Sequence, residues 1–185
     1  MIATFQVRIE GITPILINRF HEEAQEEASS SFRSARKERL SPQEDAASRL
    51  YSNDNGSFLP AENIRQSIIE AAKRFKLGRR AATTDVAAAV YLSPFELPLE
   101  GEWHVDSRAV VIPATGGRIL RHRPMFDDWS VVFKLQIDTD TGIDERLIKE
   151  VVSSSGKLVG IGDFRPARKG PYGRYNIALW EHIKQ

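Results

Sequence analysis

The order of the predicted secondary-structure elements indicates an α+β protein with a ferredoxin-like βαββαβ core. Two kinds of pattern support this fold class. Alternating apolar residues predict half-buried strands, and apolar residues three and four positions apart predict amphipathic helices. The strongest elements follow one another as strand, helix, strand, strand, helix and strand. In that order they span residues 3–9, 61–76, 103–112, 129–137, 143–155 and 174–183.

The first strand and the first helix define the N-terminal half of this core. Residues 3–9 alternate apolar and polar side chains, as expected for a strand with one buried face. Pro60 precedes a helix that carries Ile64 and Ile68 on one face. We expect Gly78 to end that helix, because glycine favours the left-handed conformation that closes helices.

A polar insertion is predicted between this strand and this helix, at about residues 18–58. It begins acidic, at residues 22–27, and becomes basic further on. The sequence from Ser41 to Glu44 has the N-cap serine, the N1 proline and the N3 glutamate that begin a helix. Asn55–Gly56 predicts a tight hairpin turn. Residues 1–185 would therefore form a single domain with one insertion.

Two further patterns predict the second half of the core. Residues 129–137 alternate cleanly, which predicts an interior strand, and residues 143–155 place their apolar side chains at helical spacing. An alanine-rich helix is expected at 83–90. Extended segments are expected near 90–99 and 118–123.

Composition limits the classes of function. The formal net charge is only +1, so any binding of nucleic acid must come from local segregation of charge. The absence of cysteine excludes disulfides, thiolate catalysis and cysteine-bearing zinc sites. The N-terminus has no apolar run typical of a signal peptide, and no segment approaches the length of a membrane span. These features predict a cytoplasmic protein with no membrane partner.

The segment 160–175 is the most informative stretch, because glycines, cations and aromatic residues share it without any helix or strand pattern. Its glycines would let the backbone take positive φ values and approach a neighbour closely. Its cations suit phosphates, and its aromatic rings suit nucleobases. The alternative is a glycine-rich turn whose charges are simply solvated. The predicted backbone loop comprises Gly160, Gly162, Gly170 and Gly173.

Two other basic clusters lie near predicted element ends, at residues 73–80 and 118–123. In the predicted topology these clusters and the loop could line one surface. The candidate nucleic-acid-binding residues are Lys73, Arg74, Lys76, Arg79, Arg80, Arg118, Arg121, Arg123, Phe164, Arg165, Arg168, Lys169, Tyr172 and Arg174.

The motif from Gly160 to Tyr175, placed between the last helix and the last strand, resembles the glycine-rich loop of the RAMP superfamily. A second similarity is the run from Leu59 to Arg65, which resembles the proline that leads from a strand into the first helix of that family. The resemblance implies an RNA-binding subunit of a CRISPR effector complex. The subunit that polymerises along the guide RNA is the nearest comparison. RRM-like domains share the βαββαβ order and set bases against the open sheet face.

The chain also departs from this family. Backbone subunits are usually longer and carry a prominent thumb hairpin, for which only residues 18–58 and 112–128 are available here. A second resemblance is to short phage and prophage proteins with an early Thr13–Pro14 segment and a late Gly-Asp-Phe-Arg-Pro loop. That resemblance implies no particular function.

The sequence therefore predicts a non-catalytic protein that binds single-stranded nucleic acid, RNA favoured over DNA, and forms homo-oligomers or filaments along it. No cofactor or metal is expected, because the histidines have no metal-ligand spacing and no phosphate-loop or dinucleotide motif is present. A phage-type protein–protein interaction protein is the alternative. A metal-dependent ribonuclease using His122, Asp127 or Asp128 is a further one, although surface roles suit these side chains better.

Overall fold

The computed structural model describes residues 1–19, 40–111 and 116–183. Four α-helices and twelve strands lie within these ranges. The helices are α1 (Pro42–Ser48), α2 (Ala61–Ala72), α3 (Thr83–Ala89) and α4 (Glu145–Ser154). The strands are β1 (Ile2–Gly11), β2 (Ile15–Leu16), β3 (Ser52–Asn53), β4 (Gly56–Pro60), β5 (Lys76–Leu77), β6 (Arg80–Ala81), β7 (Val90–Ser93), β8 (Glu96–Glu100), β9 (Trp103–Val111), β10 (Arg118–Phe126), β11 (Ser130–Asp138) and β12 (Tyr175–His182).

The predicted α+β, ferredoxin-like fold class is confirmed by the central antiparallel sheet. Its strands run β12–β1–β11 and continue to β7, with β8 pairing the beginning of β11. Val7 lies opposite Phe133 in the register of β1 and β11. With α2 between β1 and β7 and α4 between β11 and β12, these elements form the βαββαβ order. The last strand lies beside the first, as this fold requires.

The predicted second strand of the core, at 103–112, was wrong. That segment is β9, which pairs with β10 and lies in a separate three-stranded sheet with β2. The second core strand is β7, in which Leu92 lies opposite Leu135. A strand of four residues is too short to display a clear alternation, whereas β9 is long enough to resemble a core strand.

The β9–β10 hairpin is the principal extension of this core. The predicted thumb candidate at 112–128 covers only its second strand, and the hairpin tip at 112–115 lies outside the described residues. In the other candidate, the segment 40–58 forms α1 and the β3–β4 hairpin, while residues 20–39 also lie outside. The predicted capping box is confirmed, since the Ser41 hydroxyl accepts from the Glu44 N–H and the Glu44 carboxylate accepts from the Ser41 N–H.

Helix α2 ends at Ala72, earlier than the predicted 76. The chain then turns through Lys76–Leu77 and Arg80–Ala81, which pair around Gly78 at φ +63°. Gly78 therefore closes a small hairpin and does not end a helix. Helix α4 begins at Glu145 with the Asp144 carboxylate as its N-cap and continues into a π-helical turn at Ser155–Val159.

The hydrophobic core lies between the central sheet and the helices. One face of β1 buries Phe5, Val7 and Ile9, and α2 buries Ile64 and Ile68. The opposite sheet face is polar, with Gln6 and Lys134 exposed there because side chains alternate along a strand. No helix in the described ranges is long and apolar enough to cross a membrane.

Candidate nucleic-acid interface

The glycine-rich segment forms a loop at the end of the central sheet where β1 ends and β12 begins, since Gly11 lies opposite Tyr175. Gly160, Gly162 and Gly173 take positive φ values of 70°, 78° and 67°. A Cβ atom on Gly173 would lie 1.8 Å from the Ile161 carbonyl oxygen. The conformational freedom of these glycines therefore lets the loop pack against its own backbone.

The rest of the protein holds this loop in place. Gly173 donates its N–H to the Pro14 carbonyl at 2.8 Å, and Asp163 donates its N–H to the Leu16 carbonyl at 2.7 Å. From α2, the buried Ser67 hydroxyl donates to the Gly160 carbonyl at 2.9 Å. The cationic side chains of the loop are consequently carried on a fixed backbone.

A buried arginine joins the loop to the β9–β10 hairpin. The Arg123 guanidinium donates to Asp163 on the loop at 2.8 Å and to Asp106 on β9 at 3.4 Å. Only 7% of the Arg123 side chain is exposed. Arg123 was predicted to contact nucleic acid, but the structure gives it two carboxylate partners and little access to solvent. Arg123 therefore links the hairpin to the loop through two ion pairs.

A cation–aromatic stack extends from these ion pairs to the loop surface. The Arg108 guanidinium lies 4.9 Å from the centre of the Tyr172 ring, and the Phe164 ring centre lies 6.2 Å from that of Tyr172. The pKa of Arg108 is raised, chiefly because its guanidinium donates to the Asp106 carboxylate. Phe164 is 44% exposed. The stack thus ends in an aromatic side chain that is partly open to solvent.

Sequence reasoning assigned no role in binding to Arg108, Asp106 or Asp163. Pairing of 103–112 with 118–123 as a hairpin would have indicated Arg108, because this pairing places Arg108 directly opposite Arg121. Two like charges directly opposite each other destabilise an antiparallel pair. Asp106 neutralises Arg108, whereas Arg121 has no carboxylate within ion-pair distance in the described part of the chain.

Most of the predicted cations lack a carboxylate partner among residues 1–19, 40–111 and 116–183. Lys73 pairs with Glu70, and Arg80 pairs with Asp85. Arg165 donates to the Gly162 carbonyl at 3.1 Å, so part of its guanidinium stabilises the loop. The partly or fully exposed cations without an ion pair in this range are Arg74, Lys76, Arg79, Arg118, Arg121, Arg165, Arg168, Lys169 and Arg174.

The three basic clusters meet only in part. The loop and the hairpin cluster are joined by Arg123 and by the Arg108–Tyr172 contact. The cluster at 73–80 approaches the loop through Lys73, whose partner Glu70 lines the same cleft as Arg165 and Arg168. Its remaining cations are exposed around β5 and β6.

The residues weighed for catalysis are dispersed. His122 Nδ1 lies 2.7 Å from the Ser107 hydroxyl, and His104 Nδ1 lies 3.5 Å from the Asp127 carboxylate. Asp128 is exposed at the turn before β11. Within the described ranges, no group of three or more histidine, aspartate or glutamate side chains could hold a metal ion.

Comparison with known proteins gives a structural likeness only. No model of a known protein family matches the sequence, and no curated protein matches it. Among solved structures, a chain from a cryo-EM structure of the type III-B Cmr-beta complex bound to cognate target RNA matches with a TM-score of 0.60 and 14% identity. The match covers 99% of this chain and 61% of that chain. At this identity the likeness shows the fold.

Proposed function

We propose that this chain is a non-catalytic, RAMP-like subunit that binds single-stranded nucleic acid, RNA in preference to DNA. The observation that carries the proposal is the exposed loop surface of Arg168, Lys169 and Arg174, which lies beside the Arg108–Tyr172–Phe164 stack. Support also comes from the shared fold with a chain of an RNA-bound complex. We call this loop surface with its stack the loop platform.

The loop platform combines the two chemistries that single strands require. Exposed arginine and lysine side chains attract phosphates and release their counterions, which makes binding salt-dependent. An exposed aromatic face stacks on a base and contributes roughly 1–3 kcal/mol per base. Because every base has a π-face, this combination is tolerant of sequence. Arg121, opposite Arg108 on the hairpin, would extend the phosphate track along β10.

Copies of the chain would assemble along the bound strand. A repeating backbone ligand offers equivalent sites side by side, and a heterologous contact between neighbours then produces an open filament. We expect the acidic segment 22–27 of one copy to meet a basic cluster of the next, and this segment lies outside the described residues.

The test is fluorescence anisotropy of a labelled single-stranded RNA of about 12 nucleotides, a length within the range that single binding folds cover. Replacing Arg168, Lys169 and Arg174 by glutamate is expected to abolish measurable binding at moderate salt. With the three side chains replaced by glutamine, the slope of log K against log salt should fall by about 2. We expect the wild-type protein to bind the matching DNA more weakly.

The matched control reverses three exposed cations elsewhere, Lys134, Arg146 and Lys149, and so changes net charge equally. This control should bind almost as the wild type does. Equal loss of binding in both triple variants, or unchanged anisotropy of the wild type at low salt, would overturn the proposal. Light scattering with and without nuclease treatment tests assembly, because filaments on RNA must dissociate when the RNA is digested.

A further inference from the structure

A cleft of about 640 Å³ lies between α2 and the loop platform. Four polar side chains of α2 line it at positions i, i+3, i+4 and i+7, which places them on one helix face: Asn63, Gln66, Ser67 and Glu70. The facing wall is the loop, with Arg165 and Arg168. The volume lies within the range of pockets that bind small molecules.

The polar wall has hydrogen-bonding capacity that the protein leaves unused. Ser67 donates to the Gly160 carbonyl, and Glu70 pairs with Lys73. Gln66 donates its amide N–H to Glu62, which leaves its carbonyl oxygen facing no partner in the described chain. The Asn63 side chain, half-buried, has no hydrogen-bond partner among the described residues. Asn63 and Gln66 therefore offer both a donor and acceptors on one face of the helix, about one turn apart.

The opposite wall carries two arginines and the Asp163 carboxylate, which is paired with Arg123. Arg168 has no carboxylate partner in the described ranges. Arg165 donates to the Gly162 carbonyl through one guanidinium nitrogen only. Ile17, Val159 and Ile161 also line the cleft and are buried. The site thus combines side-chain amides, buried apolar residues and two arginines around one cleft.

We propose that this cleft receives one nucleotide of the bound strand, with its base edge against Asn63 and Gln66 and its phosphate between Arg165 and Arg168. A nucleotide matches the arrangement because it joins a flat base with polar edges to an anion. Asparagine and glutamine amides pair with base edges in two directions at once, and each such pair discriminates between bases. This inference rests on the proposed function, and adds a base preference at one position of an otherwise sequence-tolerant footprint.

The test compares the affinities of labelled oligoadenylate, oligocytidylate and oligouridylate of about 12 nucleotides each. The wild type is expected to favour one of them by about fivefold or more. Replacing Asn63 and Gln66 together by leucine should bring the three affinities within about twofold of one another. The salt dependence of binding should stay unchanged, because no phosphate contact is lost.

The matched control is Gln6→Leu with Gln136→Leu, which also replaces two side-chain amides by leucine, on the polar face of the sheet. The control should keep the wild-type base preference. If the double variant at the cleft unfolds, Gln66→Leu alone, on the exposed helix surface, should still reduce the preference.

The outcomes separate the two proposals. Absence of binding to all three strands contradicts the proposed function itself. Equal affinities in the wild type, or a preference that survives in the cleft variant, contradicts the cleft assignment alone. Free adenosine, cytidine and uridine monophosphates are added to the wild type in a thermal-shift assay. A mononucleotide that stabilises the protein without lowering its affinity for the strands would contradict a strand-bound occupant.

Discussion

At the scale of single residues, the glycines of the loop allow its backbone segments to pack closely against one another. A Cβ atom on Gly170 would lie 1.7 Å from the Phe164 carbonyl oxygen, and one on Gly173 would lie 1.8 Å from the Ile161 carbonyl oxygen. Such separations are far below van der Waals contact. The glycines therefore set the geometry of the loop platform, and its cations and rings provide the contacts.

Gly173→Ala is expected to distort this loop and to weaken RNA binding by tenfold or more, an order-of-magnitude expectation for losing a fixed platform. The matched control is Gly78→Ala, since Gly78 has a similar φ of 63° but nothing within 4 Å of a Cβ atom. Gly78→Ala should lower the free energy of unfolding only by the strain of the left-handed conformation, about 1 kcal/mol. Anisotropy and thermal unfolding measure both effects, and equal behaviour of the two variants would contradict the packing role.

At the scale of elements, the β9–β10 hairpin and the glycine-rich loop form one surface because Arg123 binds carboxylates on both. Asp106 on the hairpin is as buried as Arg123, with 8% of its side chain exposed. Burying these charges is favourable only while they remain paired, so the ion pairs fix how the hairpin meets the loop. The same contact brings Arg108 over Tyr172.

Arg123→Met is expected to destabilise the protein by about 2 kcal/mol, because Asp163 loses its ion-pair partner and the buried Asp106 keeps only Arg108. RNA affinity should fall while the slope of log K against log salt stays constant, since a positioning residue touches no phosphate. A slope reduced by about 0.7 would instead identify Arg123 as a direct phosphate contact. Chemical denaturation and salt-dependent anisotropy provide the two measurements.

At the scale of the whole molecule, Tyr175 connects the sheet, the loop and the helices. It begins β12, is fully buried, and its hydroxyl hydrogen-bonds the Ser155 hydroxyl in the π-helical turn. Burial raises the pKa of Tyr175 from 10.0 to about 12, although hydrogen bonding with Ser155 and Ser67 partly opposes the rise. The folded protein therefore keeps this proton in a range where the unfolded chain releases it.

Stability is accordingly expected to fall between about pH 10 and about pH 12. The contribution of Tyr175 is complete below the unfolded pKa and is lost as the pH approaches the folded pKa, a total of about 2–3 kcal/mol. Tyr175→Phe should be less stable at neutral pH, because Ser155 loses a partner, but should lose less stability over this range. Urea unfolding at several pH values measures the difference, and parallel curves would contradict the assignment.

The predicted part of the fold rests on local patterns. The alternation in β1 and β11, the apolar spacing in α2 and α4, and the Ser41 capping box are properties of a few neighbouring residues, and the structure contains them. The identity of the second core strand was not predictable in this way. Strand pairing depends on contacts between residues far apart in the chain. The four-residue β7 pairs with β11, although β9 has the longer alternating pattern.

The sequence by itself determined five of the six core elements, the positive φ values of Gly160, Gly162 and Gly173, and the concentration of cations in segment 160–175, because backbone sterics and periodicity act locally. Gly170, predicted with them, has no positive φ. Only the tertiary structure decided which cations remain exposed and which are buried in ion pairs. Arg123 is buried between carboxylates that are distant in sequence. Arg108, on the β9–β10 hairpin, contacts the Tyr172 ring of the loop. Burial and ion pairing depend on contacts between residues far apart in the chain, so no local pattern could assign these roles.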